Sequence, residues 1–228
     1  MDGALPQGTP GMTIGSINVN GVRVWKGLLD RSRQEELGAD LRAVASAAPF
    51  RRDETRRGQM SVRMSGAGAH AWVADRRGYR YDPVPPDGRG WPEIPASVLA
   101  VWRQVSGVPR QPDSCLVNFY GEGTRMGMHQ DKDETDLTWP VVSISLGDEA
   151  LFRVGRVMPG GPTQSVWLQS GDVAVLGGET RLAYHGIDRI KFGSSALLPD
   201  GGRINVTLRV AGSSSIPEDA DPHRAGQG

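Results

Sequence analysis

From Cys115 onward the sequence is a succession of short apolar segments separated by turns that contain glycine and aspartate. The segments read LVNFY, VVSISL, ALFRV, SVWLQ, DVAVLG, RLAYHG and INVTLRV. Many strands of this length with turn signals between them are typical of a β-sandwich or a jelly roll. We expect a jelly roll, because its two sheets can bring residues from different strands into one mouth.

Two helices are predicted upstream of these strands. The first begins at Ser32, because Ser32 and Glu35 have the spacing of a capping box. The second runs from about Pro95 to Val105, with Gly107 as its stop. Apolar residues recur at helical spacing in both, at Leu37, Leu41, Val44 and Ala45 and at Val98, Val101, Trp102 and Val105. The first stripe should cover one face of a sheet, and Trp102 should lie in the core. The predicted fold class is therefore mostly β with flanking helices (α+β).

Length and composition restrict the class further. At 228 residues the chain fits a single domain with extensions. The formal net charge is zero, which excludes a protein that coats nucleic acid through bulk electrostatics, so any nucleic-acid site must be local. Neither a signal peptide nor a membrane span is recognisable. We expect a cytoplasmic protein without a membrane segment.

Cys115 is the only cysteine of the chain. An intramolecular disulfide and cysteine-based metal sites are therefore excluded, which suits a reducing compartment. Because Cys115 opens an apolar run, we expect it to be packed in the core rather than to act as a nucleophile.

A possible metal site lies in the stretch MHQDKDE. In an extended strand, residues two apart point to the same face, so His129 and Asp131 can share one metal ion. His185, in a strand-like apolar segment, is the best candidate for a third ligand. Two imidazoles and one carboxylate form the facial triad of non-haem Fe(II) oxygenases, which leaves positions open for substrate and dioxygen. An isolated H-x-D occurs by chance in many chains and is weak support.

The segment RINVTLR alternates strictly between polar and apolar residues. As a strand it places Arg203, Asn205, Thr207 and Arg209 on one face and Ile204, Val206 and Leu208 on the other. The polar face could be exposed to solvent. A guanidinium that faces a pocket, however, offers a planar fork of donors that matches a carboxylate. A dicarboxylate co-substrate would fit it.

Several ungapped blocks of the chain together carry a resemblance to a known family. They are NFYGEGTRMGMHQDKDE, PVVSISLG, SGDVAVLGGETRLAYHGI and RINVTLR, with WVADRRGYRYDPVPPD and RAVASAAPFR upstream. In this order and spacing they resemble the AlkB family of Fe(II)- and 2-oxoglutarate-dependent dioxygenases, which repair alkylated nucleic-acid bases. The resemblance covers roughly residues 13 to 211.

The resemblance implies a double-stranded β-helix (jelly roll) core with an N-terminal nucleotide-recognition extension. A single domain is expected over 13–211, with the extension in 13–114 and the catalytic core in 115–211. The ends, 1–12 and 212–228, are rich in Gly, Pro and Ser and are expected to be disordered.

The resemblance also implies the site. It places Fe(II) on His129, Asp131 and His185, with dioxygen binding beside the co-substrate. It assigns 2-oxoglutarate to Asn118, Tyr120, Arg203, Asn205 and Arg209, with Arg203 as the partner of the far carboxylate. The family pattern places a base-stacking tryptophan at Trp72, a phosphate-contacting tyrosine at Tyr79 and a carboxylate that meets the base at Asp133. Residue chemistry alone favours core packing for Trp72 and a structural hydroxyl for Tyr79, and the alternative for Asp133 is a solvated loop charge.

Two further features bear on nucleic-acid binding. Between Arg51 and Asp82 the arginines outnumber the acidic residues: Arg51, Arg52, Arg56, Arg57, Arg63, Arg76, Arg77 and Arg80 against Asp53, Glu54, Asp75 and Asp82. This segment is either a local nucleic-acid patch or a solvated surface. After FRVG the family pattern carries a basic residue, whereas this chain has none from Val157 to Ser165.

The predicted function is oxidative demethylation of 1-methyladenine and 3-methylcytosine in DNA, with RNA also open, releasing formaldehyde, succinate and carbon dioxide. Single- and double-stranded substrates both remain open, and a monomer is expected. The alternative is a 2-oxoglutarate-dependent hydroxylase that acts on protein or a small molecule. A binding module that keeps only the fold is disfavoured, because the metal and arginine residues are intact.

Overall fold

The computed structural model describes residues 15–55, 58–75, 78–85 and 88–212. The predicted disordered ends therefore lie outside the described residues, apart from Gly212, as do Arg56, Arg57, Arg76 and Arg77 of the arginine-rich segment. Within the described part, no helix is both long and apolar enough to span a membrane.

The elements of the N-terminal half are short strands and two helices. They are β1 Ser16–Val19, β2 Val22–Trp25, α1 Arg31–Ala47, β3 Glu54–Thr55, β4 Gly58–Gln59, β5 Arg63–Gly68, β6 Ala71–Asp75, β7 Gly78–Asp82 and α2 Ala96–Val105. The C-terminal half, as far as it is described, contains one short 3-10 helix, Gly178–Thr180, and eight strands: β8 Ser114–Tyr120, β9 Met126–His129, β10 Val141–Gly147, β11 Glu149–Val154, β12 Gln164–Leu168, β13 Val173–Leu176, β14 His185–Lys191 and β15 Arg203–Arg209.

Two antiparallel sheets make up the core. In the described residues, the larger sheet has the order β1-β2-β13-β10-β15-β8-β5, and the smaller one has the order β12-β11-β14-β9. Strands that are distant in sequence are neighbours in both sheets, as the expected jelly roll requires. The predicted mostly β fold with flanking helices is confirmed.

The strand β15 explains how the core and the site share one sheet. Its apolar residues Ile204, Val206 and Leu208 belong to a buried cluster with the apolar stripes of α1 and α2. Its other face lines a cavity. The predicted alternation is therefore confirmed, although every residue of β15 is buried and the polar face does not meet bulk solvent. A second apolar cluster, which includes Leu116 and Phe152, joins strands of the two sheets.

The residues next to each helix explain where it begins. The prediction that the first helix begins at Ser32 with a capping box is wrong, because α1 begins at Arg31 and Asp30 is its N-cap. The Asp30 carboxylate accepts from the Arg33 amide at 2.9 Å, which satisfies one of the free donors at the helix start. Helix α2 follows Pro95 as predicted, and Trp102 is fully buried.

The expected strand RLAYHG is only half correct. Residues 181–182 form a turn, 183–184 have no regular structure, and β14 begins at His185. The apolar pattern there reflects burial of Ala183 outside regular structure rather than in a strand.

Candidate metal centre and substrate pocket

A cavity of about 380 Å³ opens between the two sheets. Its wall includes every site residue that the sequence predicted: Trp72, Tyr79, Asn118, Tyr120, His129, Asp131, Asp133, His185, Arg203, Asn205 and Arg209. The jelly roll therefore brings together residues that are up to 137 positions apart in the chain (209 − 72).

At the centre of this wall lie His129, Asp131 and His185. One ligand atom of each lies within 4.8 Å of the others, and each imidazole Nε2 lies 3.8 Å from an Asp131 carboxylate oxygen. His129 ends β9 and His185 begins β14, and the two are paired across the strands. Asp131 lies beyond the end of β9, so the expectation that a shared strand face aligns it with His129 is wrong.

A close approach of β9 and β14 makes the histidine pair possible. A Cβ atom on Gly186 would lie 2.7 Å from the Met126 carbonyl oxygen and 2.9 Å from that of Gly127. These contacts are too short for any side chain. Glycine next to His185 therefore lets the strands carrying the two imidazoles come together.

Both imidazoles present Nε2 as the free nitrogen. Nδ1 of His129 lies 2.9 Å from the Gly127 carbonyl oxygen, and Nδ1 of His185 lies 2.9 Å from that of Ala183. A carbonyl oxygen can only accept, so each Nδ1 carries the hydrogen. The Nε2 lone pairs are left for a metal ion, and the backbone carbonyls fix the ring orientations in the manner usual for metal-binding histidines.

Electrostatics favour a charged carboxylate and a neutral His185. Burial alone would raise the pKa of Asp131, but Arg209 and the two histidines outweigh it and hold the pKa well below its usual value. Arg209 Nη2 donates to Asp131 Oδ2 at 2.8 Å. Burial lowers the pKa of His185 to about 4, although Asp131 opposes the shift. Asp131 and His185 are therefore ready to bind a divalent cation near neutral pH without first losing protons.

A buried carboxylate that sequence reasoning missed supports Asp131. Glu134 pairs with Arg209 Nε and with Arg181 Nη2, each at 3.1 Å, and accepts from the Tyr81 hydroxyl at 2.8 Å. Arg181 Nη1 also donates to the Asp131 carbonyl oxygen at 2.6 Å. In the sequence, Glu134 stands in the charged run KDE, and nothing local distinguishes it from a solvated residue.

Arg203 is a buried cation of the cavity with no ion-pair partner among the described residues. It is 1% exposed, and its Nη2 donates to Ser145 Oγ at 3.0 Å. Its Nε and Nη1 are buried without a hydrogen-bond partner in the described part of the chain. Burial lowers the pKa of Arg203. Because a buried cation without a counterion is costly, this position fits a carboxylate supplied by a ligand.

Neighbouring polar groups extend this site. The Arg203 guanidinium lies 5.0 Å from the centre of the Tyr120 ring. Asn205 Nδ2 donates to Ser143 Oγ at 2.7 Å and to the Ile144 carbonyl at 3.1 Å. The buried Oδ1 of Asn118 has no hydrogen-bond partner among the described residues. Arg209, by contrast, is already paired with Asp131 and Glu134.

The outer rim of the cavity is aromatic and acidic. Trp72 Nε1 donates to Asp133 Oδ2 at 2.8 Å, and the Trp72 ring stacks on Tyr79 with centroids 5.3 Å apart and an interplanar angle of 20°. Trp72 is half-buried and packs partly on the second apolar cluster, while Tyr79 is 57% exposed. Asp133 is thus bound to Trp72 rather than being only a solvated charge.

Two of the four described arginines of the arginine-rich segment pair with its own carboxylates. Arg51 pairs with Asp53 at 2.8 Å, and Arg80 pairs with Asp75 at 3.0 Å and Asp82 at 3.2 Å. After FRVG, Val157 and Met158 are exposed, in the stretch where the chain lacks a basic residue.

Comparisons with known proteins agree with this geometry. Residues 21–209 match the 2OG-Fe(II) oxygenase superfamily. The chain is 52% identical over 195 residues to the alpha-ketoglutarate-dependent dioxygenase AlkB homolog of Caulobacter vibrioides strain NA1000, with 85% of this chain and 89% of that relative covered. It is 43% identical over 184 residues to the alpha-ketoglutarate-dependent dioxygenase AlkB of Escherichia coli K12, with 78% and 85% covered. The solved structure of OsALKBH1 matches with a TM-score of 0.68 and 32% identity, covering 83% of this chain and 97% of that one.

Proposed function

Because the chain belongs to the 2OG-Fe(II) oxygenase superfamily and, within it, to the AlkB family of dioxygenases, we propose that it oxidatively removes alkyl groups from nucleic-acid bases. The observation that carries this proposal is one cavity with three features. These are a triad of metal-ligand type, a buried arginine with free donors, and an aromatic rim joined to a carboxylate.

His129, Asp131 and His185 would hold Fe(II). The donor set of two neutral imidazole nitrogens and one carboxylate suits that ion, and the bound iron would supply the activation of dioxygen with 2-oxoglutarate as the co-oxidised substrate. Arg209, Glu134 and Arg181 would keep Asp131 ionised and in place.

Arg203 would bind the far carboxylate of 2-oxoglutarate. Its two free nitrogens can make a two-pronged contact, and the carboxylate would offset the cost of the buried charge. Asn118, Tyr120 and Asn205 would line the rest of the co-substrate binding site. Arg209 would contribute mainly through Asp131, because its Nη2 and Nε already pair with Asp131 and Glu134 and only its Nη1 has no partner in the described chain.

Trp72, Tyr79 and Asp133 would receive the damaged base. A flipped or single-stranded base needs an aromatic platform, and one face of the Trp72 ring is already fixed by Tyr79. A methyl group at N1 of adenine or N3 of cytosine blocks pairing and leaves the ring positively charged. The Asp133 carboxylate favours such a cation, so we assign 1-methyladenine and 3-methylcytosine as preferred lesions, in DNA first and RNA second.

The competing function is hydroxylation of a protein or small molecule by the same inner site. The exposed aromatic and acidic rim favours a base, because a planar cation can stack on Trp72 and face Asp133 together. A cytoplasmic location and a monomeric state belong to the same proposal, and size-exclusion chromatography with light scattering tests the latter.

The test is formaldehyde release from oligonucleotides that carry single 1-methyladenine or 3-methylcytosine residues, with iron and 2-oxoglutarate. Single- and double-stranded DNA and RNA should be compared with unmodified strands. We expect release from methylated strands only, matched by succinate formation. Consumption of 2-oxoglutarate with no formaldehyde from any strand would favour the hydroxylase.

A further inference from the structure

An ion pair with a buried carboxylate lies outside the metal site, against the β6–β7 hairpin that carries Trp72 and Tyr79, which we call the base-recognition hairpin. Arg51 Nε and Asp53 Oδ1 are 2.8 Å apart, and the Asp53 side chain is 5% exposed. Desolvating such a pair is costly, so its remaining contacts indicate what it holds in place.

Both partners bind the backbone of β6, at Trp72 and two residues after it. Arg51 Nη2 donates to the Trp72 carbonyl at 3.3 Å, and the Ala74 amide donates to Asp53 Oδ2 at 2.9 Å. Residues two apart on a strand turn their polar groups to the same edge. Since β6 pairs with β7 along its other edge, the ion pair occupies the edge that lacks a neighbouring strand in the described chain.

The pair is itself fixed to the wall of the cavity. Arg51 and Met64 of β5 exchange backbone hydrogen bonds of 2.9 and 2.7 Å, and Met64 lines the cavity. The Arg51 guanidinium also lies over the Trp91 ring at 5.3 Å, and Trp91 Nε1 donates to the Asp82 carbonyl of β7 at 2.8 Å. A two-stranded hairpin is marginally stable alone, so these contacts, together with those of Trp72 with Asp133 and Tyr81 with Glu134, fix its position relative to the metal site.

We propose that Arg51 and Asp53 are positioning residues that hold the Trp72 backbone in the position from which its ring can stack on a base. The inference rests on the proposed function. Asp133 and Tyr79 orient the Trp72 ring, whereas the ion pair sets the backbone from which the ring projects. Loss of the pair should weaken base binding and leave the metal and co-substrate sites intact.

The experiment measures kcat and both KM values for formaldehyde release from a single-stranded 3-methylcytosine oligonucleotide. Asp53→Ala should raise the KM for the oligonucleotide roughly fivefold or more, as partial loss of one aromatic stack would. The kcat and the KM for 2-oxoglutarate should change less than about twofold. Asp53→Asn keeps an oxygen for the Ala74 amide and should recover part of the loss, which also guards against a variant that does not fold.

Two comparisons separate positioning from general damage. Lys26→Gln removes another ion pair, between Lys26 and the buried Asp172, next to β2 and β13 and away from β5 in the larger sheet. This variant should lower the Tm without changing the KM for the oligonucleotide. In a Trp72→Ala background, Asp53→Ala should have no further effect on that KM, because the two residues act through one contact.

Additive effects of Trp72→Ala and Asp53→Ala on the KM for the oligonucleotide would overturn the positioning role. Equal rises in the KM for the oligonucleotide and the KM for 2-oxoglutarate would overturn it as well. An active wild-type protein with an unchanged KM in Asp53→Ala would overturn it while leaving the proposed function intact. A wild-type protein that releases no formaldehyde from any methylated strand would overturn both.

Discussion

The inner wall of the cavity and its outer rim are built in opposite ways. Arg203 and Arg209 stand on β15, which has a hydrogen-bonded neighbour on each side, and both are at most 5% exposed. Trp72 and Tyr79 stand on a two-stranded hairpin, and Tyr79 is 57% exposed. The groups assigned to oxidation are therefore held by the sheet, whereas those assigned to recognition depend on a few side-chain contacts.

This difference separates two kinds of failure. Damage to the inner wall should affect metal and co-substrate binding whatever the substrate is. Damage to the rim should affect affinity for the base and leave the consumption of 2-oxoglutarate possible. Variants of the two regions can thus test whether they are as independent as their architecture indicates.

The largest expected effect comes from two aspartates that are two residues apart. Asp131→Ala should abolish turnover and metal binding, because it removes a ligand and leaves Arg209 with one fewer carboxylate. Asp133→Ala, a change of the same type at the rim, should keep metal binding and weaken only the binding of the substrate. Titration with Co(II) followed by absorption measures the first property, and formaldehyde release measures the second. Full activity of Asp131→Ala would refute the triad.

The metal-free inner wall should make the folded protein sensitive to acid. The pKa of His185 is lowered from 6.5 to about 4 in the folded protein, so the unfolded chain takes up a proton first. Stability of the metal-free protein should therefore be complete above pH 6.5 and fall by about 3 kcal/mol as pH drops towards 4. Urea unfolding at several pH values measures this, and His185→Gln should flatten the slope. An equally steep slope in that variant would assign the effect to other groups.

Arg203→Lys should raise the 2-oxoglutarate concentration for half-maximal rate. A point charge replaces a two-pronged contact, and a charge-assisted hydrogen bond contributes about 1.5 to 3 kcal/mol, so we expect roughly a tenfold rise or more. Iron binding should persist. The rim variant Trp72→Ala serves as the control, since it should leave 2-oxoglutarate dependence unchanged. An unaltered dependence in Arg203→Lys would reassign the far carboxylate to Arg209.

Trp72→Ala should weaken binding of a methylated oligonucleotide by about 1 to 3 kcal/mol, the usual range for one base–aromatic stack. Fluorescence anisotropy with an inactive metal such as Mn(II) measures the affinity directly. Trp167→Ala removes a β12 tryptophan whose side chain is not part of the cavity wall, and this variant should bind as the parent does. Equal affinities of the Trp72→Ala variant and the parent would remove Trp72 from the base site.

The inner wall and the outer rim also differ in how much of each could be predicted from the sequence. The inner wall was predictable from local pattern, because strict alternation in RINVTLR places four polar groups on one face whatever the partner strands are. The hydrogen-bond and ion-pair partners of those groups could not be predicted in this way. Arg209 meets Asp131 across 78 positions, and Glu134 meets Arg181 through a turn that resembled a strand in the sequence. Likewise, Asp30 and Ser32 are both good caps, and only the backbone decides between them.

The rim could not be derived from residue chemistry. Trp72 and Asp133 are 61 positions apart, and neither has a local pattern that distinguishes recognition from packing or solvation. Trp72 in fact does two things, since it packs partly on the core and binds Asp133. Only the resemblance to the AlkB family directed attention to these residues, and their roles remain predictions.

The smallest expected effect lies where the two regions meet. Tyr81 stands on β7, next to the base-recognition residues, and its hydroxyl donates to Glu134, which pairs with Arg209 behind Asp131. Burial raises the pKa of Tyr81, so the hydroxyl stays protonated and keeps donating. Tyr81→Phe removes that hydrogen bond, but Glu134 keeps two arginine partners, so we expect a loss of about 1 kcal/mol in unfolding free energy. Both KM values should stay within about twofold of the parent, because the arginines alone hold the carboxylate. A large rise in both would mean that the hairpin and the metal site act as one unit, and the independence of wall and rim would have to be given up.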